Sequence, residues 1–160
     1  MTSPAHGEKP ISASRCTLSA LMGPQESNTH GNVHGGVIMK MVDEAGALAA
    51  MRHANRLVVT VAIDSMTFME PIRLGYLVVC RAELTYVGRT SMEVRVEVTT
   101  ENPLEGTPKT TNVAYLVYVA LGDDARPAQV PKLVYETAEE RASAEMARQR
   151  QEYRKQRRDL

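Results

Sequence analysis

The chain has 160 residues, 43% hydrophobic and 24% charged, with 19 basic and 19 acidic side chains and a formal net charge of +0. That length suits one domain with a real hydrophobic core, and the balanced charge gives no global electrostatic case for nucleic acid or a membrane surface. The two cysteines, Cys16 and Cys80, fit neither a disulfide framework nor a metal cluster by spacing, and no apolar run approaches the roughly 18 residues of a membrane span.

The first ten residues, "MTSPAHGEKP", lack the apolar core of a signal peptide. They read as a disordered leader, and the cytoplasm is the expected compartment. From Ile11 to Met22 the loose alternation of "ISASRCTLSALM" predicts a strand. The polar loop "GPQESNTHGN" leads into one convincing internal helix, from about Gly36 to Ala54. Four strand-like runs follow: "RLVVTVAIDSMTFME", "YLVVCRAELTYV", "SMEVRVEVTTE" and "TTNVAYLVYVAL". The third alternates strictly, with Met92, Val94, Val96 and Val98 on one face and Glu93, Arg95 and Glu97 on the other. One strand, one helix and four consecutive strands predict an α+β fold with a largely antiparallel sheet covered by a single long helix. From Ala138 onward the chain is polar and helix-forming, with Glu139, Glu140 and Glu145 early and Arg154, Lys155, Arg157 and Arg158 late. This tail is either a solvated terminal helix or a basic contact for a phosphate-bearing ligand or partner.

The internal helix carries the chemistry. At about 100° per residue, Ile38, Val42, Ala45, Leu48 and Ala49 share a face predicted to lie on the sheet. Asp43 projects at the flank beside Met39, Gly46, Ala47 and Ala50, small or apolar company for an acid. A partly desolvated carboxylate there suits a base; an exposed acid in the early turns of a helix is the plainer reading. His34-Gly35-Gly36 stands at the helix entry, where unpaired N–H groups point outward and glycine lets a ligand approach. Such donors fit an oxygen that becomes negative during acyl transfer, while a tight turn explains the two glycines equally well. His30 and His34 have the spacing of a metal pair, but no third ligand is evident. Neither a GxxxxGK[ST] phosphate loop nor a G-x-S-x-G elbow occurs.

Together, "NTHGNVHGGVIMKMVDEAGALAA", "VVTVAIDSMTFMEPI", "AELTYVGRTSMEVRVEV", "TNVAYLVYV" and "PKLVYETAEE" closely resemble the hotdog-fold acyl-CoA thioesterases. The closest likeness is to the cytosolic, brain-type acyl-CoA hydrolases and their bacterial single-domain relatives. The resemblance covers nearly everything after the leader. It implies a single hotdog domain over 11–135, a long central helix wrapped by a curved antiparallel sheet, with a charged C-terminal helix over 136–160.

It also implies hydrolysis of fatty acyl-CoA to fatty acid and CoA, without metal or other cofactor. CoA is then part of the substrate and product. The implied assembly is at least a homodimer, with a trimer of dimers common in this branch. By position, Asp43 matches the catalytic carboxylate, as base or nucleophile, and Asn28 a loop asparagine supplied by the partner subunit. Gly35, with Gly36 beside it, matches the N–H that polarises the thioester carbonyl. Arg89, Thr90 and Ser91 fall in a turn that holds CoA phosphates in relatives, although the same residues make an ordinary hairpin turn. Met66, Phe68 and Met69 are candidates to line an acyl tunnel. One departure is Tyr76, where many relatives place an acid; another is that Asn28 and Asp43 share one chain here, whereas the mammalian tandem enzyme divides them between its halves. The alternatives within reach are a non-catalytic acyl-CoA sensor and a hotdog hydratase or dehydratase, whose Asp-His pair is not evident.

Overall fold

In the computed structural model, residues 7–64 and 66–158 are described. Most of the expected leader, residues 1–6, lies outside them. The predicted helix is α1 (Gly35–Ala54). It begins where extended His34 turns its ring back so that Nδ1 accepts the Gly36 N–H at 2.9 Å. It ends at Asn55, whose backbone is left-handed (φ 51°) and whose N–H returns to the Met51 carbonyl.

The strands are β1 (Glu8–Pro10), β2 (Cys16–Leu21), β3 (Val58–Ile63), β4 (Leu77–Val87), β5 (Ser91–Glu101), β6 (Lys109–Ala120) and β7 (Lys132–Val134). A final helix, α2, spans Ala138–Arg158. Strands β2, β4, β5, β6 and β3, in that order, form one antiparallel sheet that curls around α1. Thus β3 is an edge strand. The α+β hotdog architecture expected from the sequence is the one observed.

Three expectations need correction. Residues 8–10 are not a disordered leader, because β1 pairs in parallel with β7, a small sheet that three-residue runs give no periodicity to reveal. Lys9 then places its ammonium 2.9 Å from the His53 carbonyl and 3.2 Å from that of Arg52, and also bonds the Asn55 side chain, so it caps the end of α1. The predicted first strand is shorter than expected, since Ile11–Ser14 is a 3-10 turn. Finally, Leu48 is 37% exposed, whereas Gly46 and Ala50 are buried with Ile38, Val42, Ala45 and Ala49. The buried arc of α1 is therefore turned toward the flank that carries Asp43.

The inner faces of β5 and β6 supply the core. Met92, Val94, Val96 and Val98 alternate inward as expected and are fully buried, as are Ala114, Leu116, Tyr118 and Ala120. The two cysteines are free and buried, and burial pushes the Cys80 thiol up to about 11.

The opposite face of the sheet is not left to water. Glu93 is only 2% exposed because α2 lies over it. Arg150 donates to the Glu93 carboxylate at 2.7 Å, Arg154 bonds both Glu93 and Asp64, and Thr85 donates a third contact at 2.7 Å. The Arg150 guanidinium also stacks 3.7 Å from the Tyr115 ring centroid. Two of the seven basic residues of α2, Arg150 and Arg154, are thus structural. We expect Glu93→Gln to cost about 3 kcal/mol in denaturant unfolding, since it leaves two partly buried arginines short of their counter-charge.

A buried imidazole sets the acid limit of the fold. His53 is fully buried, its Nε2 bonded to the Pro131 carbonyl at 2.7 Å and its Nδ1 without a partner. Burial, aided by the Lys9 charge, lowers its pKa below 6.5, so the unfolded chain takes up a proton that the folded chain refuses. Stability should fall as pH drops below about 6.5. His53→Gln should flatten that part of the pH–stability curve.

Candidate active site

Asp43 sits on the rim of the buried arc of α1, half-buried, and its carboxylate is held from two strands. Thr60 of β3 donates to Oδ1 at 2.7 Å. The hydroxyl of Tyr118, reaching up from β6, lies 3.0 Å from the same oxygen and 2.9 Å from the Asp43 carbonyl. Oδ2 has no hydrogen bond among the described residues, which leaves one carboxylate oxygen free to meet water. Tyr118 is fully buried, and burial followed by the nearby Asp43 charge raises its pKa, so it stays protonated as a donor.

Gly46 is what admits this tyrosine. A Cβ there would overlap the Tyr118 hydroxyl, so any larger residue would displace the donor from Asp43.

The entry loop is built around Asn28. Its Oδ1 accepts the N–H groups of His30 (2.9 Å) and Asn32 (3.1 Å), and its own N–H donates to the Asn32 carbonyl. Gly31, at φ +78°, provides the left-handed turn this loop requires. These bonds fix the side chain while leaving its amide NH₂ group without a partner among the described residues. Asn28 and Gly35 line one cavity of about 360 Å³ with Ile38, Phe68, Met69 and Ile72. The Phe68 ring lies 3.6 Å from the position a Cβ on Gly35 would take.

The two glycines are not equivalent. The Gly36 N–H is occupied by His34, whereas that of Gly35 has no acceptor among the described residues. The pair of free donors expected from the sequence is therefore one, Gly35, because the N-cap uses the other.

The structure separates the remaining site residues. Asp43 does not line the Asn28–Gly35 cavity, and the eight-position offset from Gly35 to Asp43 amounts to about 12 Å along the helix axis. Thr90 and Ser91 line a different cavity, beside β3 and the end of α2, and Arg89 is exposed outside it. Phe68 and Met69 line the Asn28 cavity; Met66 packs against the core instead.

Sequence reasoning missed Thr60 and Tyr118. Each had a signal, for Thr60 shares an inward face with Val58, opposite Tyr118 and Ala120, and Tyr118 shares one with Leu116 and Ala120.

The comparisons bear on what such a site belongs to. Residues 30–107 match the family model of the thioesterase superfamily. The cytosolic acyl coenzyme A thioester hydrolase of Rattus norvegicus is 35% identical over 133 residues, 82% of this chain and 35% of that protein. The chain thus spans about a third of the length of that relative. Among solved structures, an apo-hexameric acyl-CoA thioesterase superposes with a TM-score of 0.90 at 37% identity, over 96% of this chain and 99% of that one. The Staphylococcus aureus acyl-CoA hydrolase, solved with butyryl coenzyme A and coenzyme A, gives 0.86 at 36% identity over 94% and 92%. Structures of that hydrolase also exist with alanine in place of an aspartate, an asparagine and a threonine. In sequence and in fold, the chain belongs to the thioesterase superfamily, and the relatives it matches include acyl-CoA thioester hydrolases.

Proposed function

We propose that the chain hydrolyses fatty acyl-CoA to a free fatty acid and CoA. The observation that carries this reading is the Asp43 carboxylate, anchored at one oxygen by Thr60 and Tyr118 and open at the other. Water bound at Oδ2 loses a proton to Asp43 as its oxygen attacks the thioester carbon. The carbonyl oxygen, negative in the tetrahedral intermediate, is met by the Gly35 N–H. The amide of Asn28 orients water or thioester. Collapse breaks the C–S bond, and the departing thiolate takes up a proton to leave as CoA. The chemistry asks for a base, a water and a donor, so no cofactor is invoked; CoA enters with the substrate and leaves as product.

One copy of the chain does not bring these groups together. Gly35 and Asp43 are about 12 Å apart along one helix, too far to serve the same carbonyl. A second copy resolves this, contributing Asn28 and Gly35 to the Asp43 of the first. The unpaired edge of β3, with Val59 (41%), Val61 (45%) and Ile63 (42%) exposed, offers the surface for that pairing. A homodimer, and a trimer of dimers built from it, is the proposed assembly; a structural relative is hexameric. The name of the rat relative supports a cytosolic setting, and among the described residues no helix is long and apolar enough to cross a membrane.

Asp43→Ala should lower kcat by 100-fold or more on a panel of short- to long-chain acyl-CoAs while the protein remains folded. CoA binding without turnover in the wild type would point to a sensor instead. Co-expressing Asn28→Ala with Asp43→Ala should restore about a quarter of wild-type activity, since half the dimers are mixed and each has one intact site. No recovery would place the site within one chain. Tyr118→Phe should reduce kcat about tenfold with little change in KM, because it loosens the base and touches no substrate.

A further inference from the structure

The face of α2 turned away from the sheet carries a repeat that its anchoring side does not require. Ala142, Met146, Gln149, Tyr153 and Gln156 recur at spacings of four, three, four and three, and all are exposed. That spacing is the seam of a helix that packs lengthwise on another helix. Its two large members stand well out of the surface, Met146 at 53% and Tyr153 at 61% exposure. Glu145, Arg148, Gln149, Glu152, Tyr153 and Gln156 surround an open hollow of about 390 Å³ on this face. Four of them, Gln149, Glu152, Tyr153 and Gln156, stand at i, i+3, i+4 and i+7. Those are the corners of a hole that receives one side chain from a facing helix.

We infer that this face pairs, antiparallel, with α2 of a second copy of the chain, each Met146 entering the hollow beside the partner's Tyr153. Charge selects the occupant and its direction. Along one flank run Glu145 with Arg148 at 2.8 Å and Glu152 with Lys155 at 3.6 Å. Along the other, Glu139 stands at the start of the helix and Arg157 at its end, neither in an ion pair among the described residues. With Met146 opposite the partner's Tyr153, Glu145 meets the partner's Lys155 and Arg148 meets the partner's Glu152. On the second flank Glu139 meets the partner's Arg157. The two-fold repeats each pair, and the helix dipoles oppose one another. A parallel copy would instead bring the acidic starts together and the basic ends together. Exposed ion pairs add little affinity, but they fix partner and register. The docking of Arg150 and Arg154 on Glu93 presents the seam on a fixed frame. The contact uses none of the β3 edge, and two different two-fold contacts per chain close into a tetramer or a hexamer.

The test is particle mass by sedimentation of the full chain at micromolar concentration. It compares wild type with Arg148→Glu/Lys155→Glu, which makes the flank wholly acidic, and Glu145→Lys/Glu152→Lys, which makes it wholly basic. All four side chains are exposed and none belongs to the proposed active site. Each variant alone should be smaller than wild type by at least about twofold, and co-expressing the two should restore the wild-type mass, since acid then faces base. Wild-type mass in either variant alone, a co-expressed pair that stays small, or a monomeric wild type overturns the inference. Direction has its own readout. Under mild oxidation, a mixture of Met146→Cys and Tyr153→Cys should cross-link one variant to the other, whereas Met146→Cys joined to itself would show a parallel pair and overturn the antiparallel contact. None of these readouts involves turnover, so failure of the hydrolase reading would leave them intact.

Discussion

The contact of Tyr118 with Asp43 joins the core to the chemistry. A fully buried phenol can stand against α1 only because Gly46 leaves the space, and its hydroxyl, once there, must find an acceptor. It finds two on Asp43, one from the backbone and one from the carboxylate. The same contact therefore seats the helix in the curled sheet and aims the side chain. Thr60 completes the arrangement from the edge strand, so the position of the base depends on both β6 and β3. Small residues along one flank of α1 serve this close approach within the chain.

The second half of the architecture is electrostatic. A carboxylate on the inner strand β5 would be costly under a helix without compensation. Glu93 is met instead by two guanidinium groups and a threonine hydroxyl, which fixes where α2 lies across the sheet. The helix thereby divides its basic residues between two tasks, those at its middle anchoring and those at its end facing solvent beside Thr90 and Ser91.

Much of this was legible in the sequence, for identifiable reasons. Strict alternation in β5 reports a half-buried surface, so Met92 to Val98 could be placed directly. Asp43 stands out because an acid among alanines, glycine and methionine breaks the apolar pattern. Thr60 and Tyr118 break theirs less, since both residue types are common in strands. The burial of Leu48 was overstated because an average helix face ignores which side the sheet curls toward. The partnership of Gly36 with His34 is a matter of one ring rotamer, and spacing says nothing of it. Neither does it reveal β1 and β7, whose pairing joins residues far apart in the chain.

That last pairing bears on how the molecule comes together. Glu8 meets Lys132 across roughly 120 residues, so the loop it closes is among the longest the chain can form, and closure is entropically slow. The cap that Lys9 places on the final turn of α1 arrives only with that closure. The helix can thus assemble against the sheet early while its C-terminal end stays frayed, and the joining of the two distant segments becomes a late event in folding. In the finished protein the same short strands, three residues each, should be the first to open and exchange their amide protons.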